Sequence, residues 1–161
     1  MGAPTKHRTD TYTGAQLGLA TADNLLAPGT GKIMSGLLDF RDLVSIAINV
    51  NTDETGTSTA GTAALICDLY DTNGANLISS IDLITAILLT DGDADYQFNA
   101  QVGLAPSIDV TVGSSAVGSG AQGIMAAGFC KIGLNLSVDE AGATGYTGVV
   151  TLSVKRLSDA T

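Results

Sequence analysis

Aspartates in the segment DGDAD come closer to a known chemistry than any other residues of the chain. Asp91, Asp93 and Asp95 occupy positions 1, 3 and 5 of a calcium-loop pattern, in which carboxylate oxygens bind the ion. An EF-hand loop also needs Gly at position 6 and Glu at position 12, and here those residues are Tyr96 and Val102. The pattern therefore favours a solvated acidic turn between two strands.

Two acidic pairs, Asp53-Glu54 and Asp139-Glu140, are the next candidates for chemistry. Asp53 or Asp139 could contribute a carboxylate to a weak calcium site that includes the DGDAD segment and lies between subunits. This site is the alternative to a solvated acidic turn. Glycoside hydrolysis needs two carboxyl groups in a cleft with aromatic side chains nearby, but the chain has no Trp and few other aromatics. We therefore expect both pairs to be turn residues that keep the sheet ends soluble.

Histidine and cysteine are too few for nucleophilic catalysis or for a transition-metal site. His7 is the only histidine and stands in a segment that we expect to be extended, so no Ser-His-Asp or Cys-His pair has a fixed base. Cys67 and Cys130 form no CxxC motif and lie in apolar strand patterns, which predicts buried free thiols. The PGTGK segment lacks the GxxxxGK(S/T) spacing of a phosphate loop. We expect no enzymatic activity and no cofactor.

The charge of the chain argues against nucleic acid as a partner. The formal net charge is -9 at pH 7, whereas binding to a phosphate backbone requires clustered Lys and Arg. Charged residues are only 14% of the chain, and a surface of small polar residues suits a protein that packs against neighbours. The start MGAPTKHRTD lacks the apolar core of a signal peptide, and no run reaches the roughly 18 apolar residues of a membrane span. We therefore expect no membrane contact and assembly in a cytoplasm.

Strands must position these residues, because apolar and polar side chains alternate with period 2 through much of the chain. Residues 76–90 fit a helical face nearly as well, but their β-branched content and the flanking Asn-Gly and Asp-Gly favour two short strands with a bend. Residues 113–123 are rich in Gly and Ser and indicate a loop. The alternation is clear in residues 44–50, 63–69, 96–102, 108–112, 132–138 and 150–154.

Short strands at this spacing, without a convincing long helix, predict an all-β fold: an antiparallel β-sandwich, jelly-roll-like, with an extended N-terminal arm. We place the arm at residues 1–35, which lack sustained periodicity, and a single sandwich domain at residues 36–161. Residues 48–69 and 134–154 look alike, because each has an apolar segment, Asp-Glu, a small-residue loop and a second apolar segment. We interpret each as a hairpin, which arose by internal duplication or serves the same task at one end of the sandwich.

Five segments together resemble the small head-decoration, or cement, proteins of tailed bacteriophages. They are TDTYTGAQ in the arm, VSIAINV and TAGTAALICDLYDT as a first pair of core strands, ILLTDGDADYQF as a strand, turn and aromatic strand, and KIGLNLSVDEAGATGYTGVVTLSVKR as the closing hairpin. Residues 102–128 depart from the pattern of that family. The resemblance implies a structural virion protein on the capsid surface that bridges subunits of the major capsid protein as a homo-oligomer, a trimer being favoured over a dimer.

We expect two parts of the chain to contact other subunits. The arm lacks a core of its own and can bury its leucines on a neighbour, at roughly 25 cal/mol per Å² of apolar area. The small-residue loops TGTSTAGT and AGATGYTG allow close backbone approach at little entropic cost. The candidate contact residues are Leu17, Leu19, Leu25, Leu26, Thr57, Thr59, Thr144 and Tyr146.

Two other classes of protein use the same architecture. A carbohydrate- or receptor-binding module of a phage fibre or adhesin would expose aromatic side chains, and only four Tyr could serve. A filament subunit that polymerises by strand exchange would carry a donor strand with strict alternation, which residues 1–30 lack. The carbohydrate- or receptor-binding module is the alternative that we keep beside the capsid decoration protein.

Overall fold

The computed structural model of the protein describes residues 7–13, 16–17, 32–55, 61–89, 94–110, 115–138 and 145–157. These residues form strands and one short 3-10 helix. The elements are β1 His7–Tyr12, β2 Lys32–Met34, β3 Leu38–Asp39, β4 Leu43–Thr55, β5 Gly61–Tyr70, β6 Leu77–Leu89, β7 Ala94–Gln101, β8 Ser107–Val110, β9 Ala116–Val117, the 3-10 helix Ala121–Ala126, β10 Phe129–Val138 and β11 Gly145–Leu157.

The strands form two antiparallel sheets. Sheet I has the order β1-β11-β4-β7-β8, and sheet II has the order β2-β10-β5-β6-β9 with β3 also paired to β10. The chain crosses from one sheet to the other between β1 and β2, β3 and β4, β4 and β5, β6 and β7, β8 and β9, and β10 and β11. These crossings make the sandwich jelly-roll-like, and the predicted all-β, antiparallel sandwich fold is confirmed.

The core lies between the sheets and follows from the alternation of the central strands. On β4, Ile46, Ile48 and Val50 are buried, and on β10, Ile132 and Leu134 face them from the other sheet. Burying one such side chain contributes roughly 1.5–3 kcal/mol relative to leaving it exposed. The largest fully buried side chains, which fill the interior, are Tyr96, Phe40, Phe98, Leu17, Ile48, Leu65, Leu83, Ile84 and Ile87.

Polar groups join the two sheets at several points. Near one end, the Thr52 hydroxyl of sheet I donates to the backbone oxygen of Leu88 in sheet II, and the Leu88 N–H donates to the Tyr96 hydroxyl at 2.9 Å. At the opposite end, the Arg156 guanidinium donates to the backbone oxygen of Asp39 at 2.5 Å. These bonds satisfy polar groups close to the core, where an unpaired donor or acceptor would cost roughly 1–3 kcal/mol.

The two predicted hairpins are wrong. β4 lies in sheet I and β5 in sheet II, and β10 and β11 are likewise in different sheets. Instead β4 pairs with β11, and β5 pairs with β10. Alternation fixes which face of a strand is buried, but it does not distinguish a hydrogen-bonded neighbour from a strand of the facing sheet, roughly 10 Å away.

Two segments refine the sequence-based expectations. Leu77–Leu89 form one continuous strand, β6, so the strand is confirmed but its division into two short strands is wrong. The irregularity in β6 lies at Ala86, whose φ of 53° is left-handed and uncommon for a residue with a Cβ atom. The predicted loop at 113–123 contains β9 and the start of the 3-10 helix. Ala121 and Ile124 of that helix are buried in the core, so this segment closes one side of the sandwich.

The boundary predicted at residue 35 does not separate an arm from the sandwich in the described residues. β1 pairs along its whole length with β11, and β2 pairs with β10. Between them, Leu17 is buried in the core, its N–H donates to the Thr13 oxygen, and its own oxygen accepts from Gly36. Residues that lack a periodic pattern therefore supply strands to both sheets.

Candidate interaction surface

The two ends of the sandwich differ in composition. At one end of the sandwich, β4, β6 and β10 finish and β5, β7 and β11 begin; this is called the loop end. The opposite end is called the base. At the loop end, Thr55 pairs with Gly145, and Thr62 pairs with Val138. The two similar sequence segments therefore meet at one end of the molecule, as the sequence suggested.

The predicted contact residues fall into three groups. Leu19, Leu25, Leu26, Thr57, Thr59 and Thr144 lie outside the described residues, and so do Asp91, Asp93, Asp139 and Glu140 of the acidic motifs. Tyr146 pairs with Glu54 at the loop end. Leu17 is only 2% exposed, so it packs in its own chain and offers no surface to a neighbour.

Three described acidic positions lie at the loop end. Asp53 and Glu54 lie near the end of β4, and Asp95 lies near the start of β7 opposite Asn51, whose amide donates to the Asp95 carboxylate at 2.9 Å. Among the described residues, no cluster of three or more His, Cys, Asp or Glu side chains could hold a metal ion. The described part of the chain also has no helix of the length and apolarity needed to cross a membrane.

The two cysteines are free and fully buried. Cys67 pairs with Ile132 and Cys130 with Leu69, so the two residues are diagonal neighbours on β5 and β10. Burial raises the pKa of the Cys130 thiol above its ordinary value, and a hydrogen bond with Cys67 raises it further. Both thiols are therefore parts of the core, as predicted, and neither is placed to react.

The base carries the exposed large apolar side chains of the described residues. They come from the turn before β3, the start of β6, the connection between β7 and β8, and the end of β11. Monomeric proteins rarely expose such residues together without a use for them. The residues and their exposed fractions are Leu37 44%, Leu77 54%, Ile78 67%, Val102 58%, Leu104 63% and Leu157 50%.

Backbone hydrogen bonds and a ring contact join neighbouring loops of the base. The Leu157 N–H donates to the backbone oxygen of Asp42 at 3.0 Å, and the Val102 N–H donates to that of Val44 at 3.0 Å. The guanidinium of Arg41 lies 4.9 Å from the centre of the Phe129 ring. The loops of both sheets are thus held together at the base.

Gly74 shows how closely the base loops approach one another. It has a φ of 71°, in the left-handed region, and a methyl group at its Cα would lie 2.8 Å from Leu37 Cδ2 and 3.3 Å from the Phe129 ring. Glycine allows both the turn and the close approach. Leu37 is therefore held against Phe129 and the 71–76 turn.

Ion pairs at the base join three arginines to two aspartates. Arg41 donates from two nitrogens to the Asp39 carboxylate, at 3.0 and 2.6 Å. This hydrogen bonding holds the pKa of Asp39 below its ordinary value. Arg8 binds Asp10 at 2.9 Å, and the Nε atom of the largely buried Arg156 lies 3.6 Å from the same carboxylate.

A groove of about 390 Å³ lies on the outer face of sheet I. Most of its side chains carry hydroxyl, amide or amine groups, and Leu104 and Ala105 form an apolar wall next to the base. It has no aromatic lining. The polar lining residues are Thr9, Ser45, Asn99, Gln101, Ser107, Ser153 and Lys155.

The fold is similar to that of a viral capsid protein. The "T13 IBDV viral particle" matches at 14% identity and a TM-score of 0.54, over 95% of this chain and 32% of that chain. A mutant VP2 protein of infectious bursal disease virus in derived T=1 particles matches at 15% identity and a TM-score of 0.51, over 94% and 32%. The chain spans about a third of the length of these proteins. Likeness at this identity shows a shared jelly-roll fold.

A lectin domain is a more distant match. The carbohydrate recognition domain of Emp46p matches at 9% identity and a TM-score of 0.45, over 93% of this chain and 87% of that chain. No protein-family model and no curated protein sequence matches the chain.

Proposed function

We propose that this protein is a non-enzymatic structural component of a virion, and that it decorates or cements a capsid by binding its major capsid protein. The observation that carries the proposal is the jelly-roll topology, shared over nearly the whole chain with a viral capsid protein. Folds alone do not define function, so the proposal also rests on the surface. The resemblance to phage head-decoration proteins supplies the more specific role.

The physical character of the chain supports a structural role. The space between the sheets is filled by apolar side chains, and the groove of about 390 Å³ lies on the outer face of sheet I rather than between the sheets. Among the described titratable groups, Asp39 is engaged in a surface ion pair and Cys130 lies in the core. Such a molecule acts through the surfaces that it presents to other proteins.

Reconstitution on capsids tests the proposal directly. Purified protein should bind capsids that lack it, reach a saturating number of copies, and raise the temperature at which those capsids open. Its mass in solution should correspond to a homo-oligomer, with a trimer favoured over a dimer. If saturating protein neither cosediments with the capsids nor stabilises them, the capsid role is wrong.

A carbohydrate- or receptor-binding module is the second candidate, and the groove on sheet I is the observation that favours it. Its hydroxyl and amide side chains suit the hydrogen-bonding groups of a neutral sugar, although aromatic stacking is missing. Glycan-array binding that is lost on Asn99→Ala and kept on Asn49→Ala would favour this function. If no glycan binds, the carbohydrate-binding function is wrong.

A further inference from the structure

We infer that the groove on the outer face of sheet I binds an acidic saccharide. Lys155 holds the carboxylate of a uronic-acid unit, and the hydroxyl and amide side chains around it hold the hydroxyl groups of the sugar. This rests on glycan binding, the second candidate function, and adds the class of sugar. It is independent of a role on the capsid.

Two rows of side chains cross the strands and form the floor of the groove. Ile46 and Val154 are buried in the core, so their chain neighbours in β4 and β11 face outward. The first row, over β1, β11, β4 and β7, is Thr9, Lys155, Ser45 and Gln101. The second row, over β11, β4, β7 and β8, is Ser153, Ala47, Asn99 and Ser107. Strands lie about 4.8 Å apart, so each row is a track of roughly 14 Å, long enough for a short oligosaccharide.

Differences in side-chain size make these rows a groove rather than a flat face. Ser45, Ala47 and Ser153 have small side chains, which keep the floor low. Leu104 and Ala105, in the connection between β7 and β8, form an apolar wall at one side. Ligand sites combine apolar lining with a few polar groups that fix the orientation of the ligand. The C–H groups of a sugar ring can pack against this wall while its hydroxyl groups face the floor.

The polar side chains of the groove have unused hydrogen-bonding capacity. Within the described part of the chain, none of the polar lining side chains donates or accepts a side-chain hydrogen bond. The carboxylate of Asp71, by contrast, accepts hydrogen bonds from the N–H groups of Asn73 and Ala75 in its own turn. Hydroxyl and amide groups both donate and accept, as the hydroxyl groups of a sugar do. The groove therefore presents several free donors and acceptors to one ligand.

The charge of the groove selects the class of sugar. None of the described lining residues is Asp or Glu, and Lys155 is the one charged residue among them. Lys155 has no ion pair with a described residue, whereas Arg8 and Arg41 hold carboxylates at 2.9 and 2.6 Å. In a chain of net charge -9, a groove with an unpaired cation and no described carboxylate favours an anionic group.

A uronic acid matches this lining better than a nucleotide does. The phosphates of a nucleotide are usually held by several cations or by a helix N-terminus, and its base usually stacks on an aromatic ring. The described lining has a single cation and no aromatic side chain. One carboxylate on a ring with several hydroxyl groups corresponds to one ammonium group among hydroxyl and amide side chains.

The test uses the full chain and two matched oligosaccharides. A galacturonic acid trimer carries a carboxylate on every ring, and a galactose trimer is its neutral counterpart. Lys155→Gln removes the cation but keeps a hydrogen-bonding group, and Lys155→Arg keeps the charge. Lys131→Gln is the control, because it removes one cation from β10 in sheet II. Titration calorimetry measures each affinity, and thermal unfolding checks that each variant is folded.

The unaltered protein should bind the acidic trimer about three- to tenfold more tightly than the neutral trimer, because an accessible ion pair adds modestly to the hydrogen bonds that both trimers make. Lys155→Gln should abolish this preference, whereas Lys155→Arg and Lys131→Gln should keep it. Raising the ionic strength should reduce the preference, since salt screens an exposed ion pair.

Equal affinity for the two trimers, or a preference lost equally in Lys131→Gln, would overturn the acidic-saccharide site while glycan binding stands. If neither trimer binds, the acidic-saccharide site is wrong, and the glycan array decides the second candidate function separately. An oligoglutamate that binds as tightly as the acidic trimer, and through Lys155, would show that the groove accepts any chain of carboxylates. The saccharide class would then be wrong.

Discussion

Ile48 on β4 lies directly opposite Leu152 on β11, so the two similar segments of the sequence are hydrogen-bonded partners in the structure. The relationship repeats in sheet II, where Leu65 on β5 lies opposite Leu134 on β10. The two segments thus form the centre of both sheets and close the core together. The described ends of the two segments, Thr55 and Gly145, are paired at the loop end, as internal duplication and a shared task both predict.

Substitution of this central pair should destabilise the protein strongly. Ile48→Ala and Leu152→Ala should each lower the free energy of unfolding by roughly 2–5 kcal/mol, because both side chains are fully buried and leave cavities. The two losses should not add, since the residues are neighbours in one core. Chemical denaturation measures the two single variants and the variant that carries both substitutions. Asn49→Ala, at an exposed position, serves as the control. Strict additivity would mean that the two positions do not share a cavity wall.

Much of the sandwich could be predicted from sequence, but its pairing could not. Alternation identified the strands containing Ile48 and Leu152 and the faces that they bury. It could not show that β4 and β5 belong to different sheets, because facing strands of a sandwich have the same pattern as hairpin partners. Pairing depends on long-range packing that no local window contains.

The N-terminal strands and the candidate surface escaped sequence analysis for other reasons. The β1 sequence HRTDTY has no apolar alternation, because an edge strand is held by backbone hydrogen bonds and buries little. β2 is only three residues long. Val102, Leu104 and Ile78 belong to apolar patterns or to their margins, and only the topology shows that they are exposed at one end.

Alkaline pH should weaken the fold through the buried Cys130 thiol. The pKa of Cys130 is raised in the folded state, so above the ordinary thiol pKa of about 8.5 the unfolded chain loses a proton that the folded chain keeps. The stabilisation is therefore complete below that pH and is lost as pH rises, by at most about 1.4 kcal/mol per pH unit for this thiol. Denaturation at several pH values measures the slope.

Cys130→Ala is the matched control for this pH dependence. The variant should be less stable at all pH values because of its cavity, but its stability should fall less steeply above pH 8.5. The native thiols should also resist labelling until the protein unfolds. Rapid labelling of the folded protein, or an unchanged slope in the variant, would contradict the burial of this pair.

Gly133 should be intolerant of a side chain. A methyl group there would overlap the backbone oxygen of Ile33 and press on the Met34 sulfur, so Gly133→Ala should force β2 away from β10. Gly36→Ala is a suitable control, since its nearest neighbour would be the Leu17 oxygen at 3.9 Å. Unfolding experiments should show that Gly133→Ala lowers the free energy of unfolding by roughly 1–3 kcal/mol more than Gly36→Ala does. Equal stability would mean that β2 adds nothing to the sheet.

Truncation distinguishes an arm from a structural part of the sandwich. Removing residues 1–31 would delete β1, leave the edge of β11 unpaired and remove the buried Leu17. We expect a protein that unfolds more easily and aggregates, because an exposed strand edge can pair with other chains. Removing only residues 1–6 keeps β1 and should leave the unfolding midpoint unchanged. If the long truncation is as stable as the full chain, the boundary predicted at residue 35 is right after all. If it is unstable, a loss of capsid binding on that truncation reports unfolding, and binding by the short truncation is then the measurement that tests a contact made by residues 1–6.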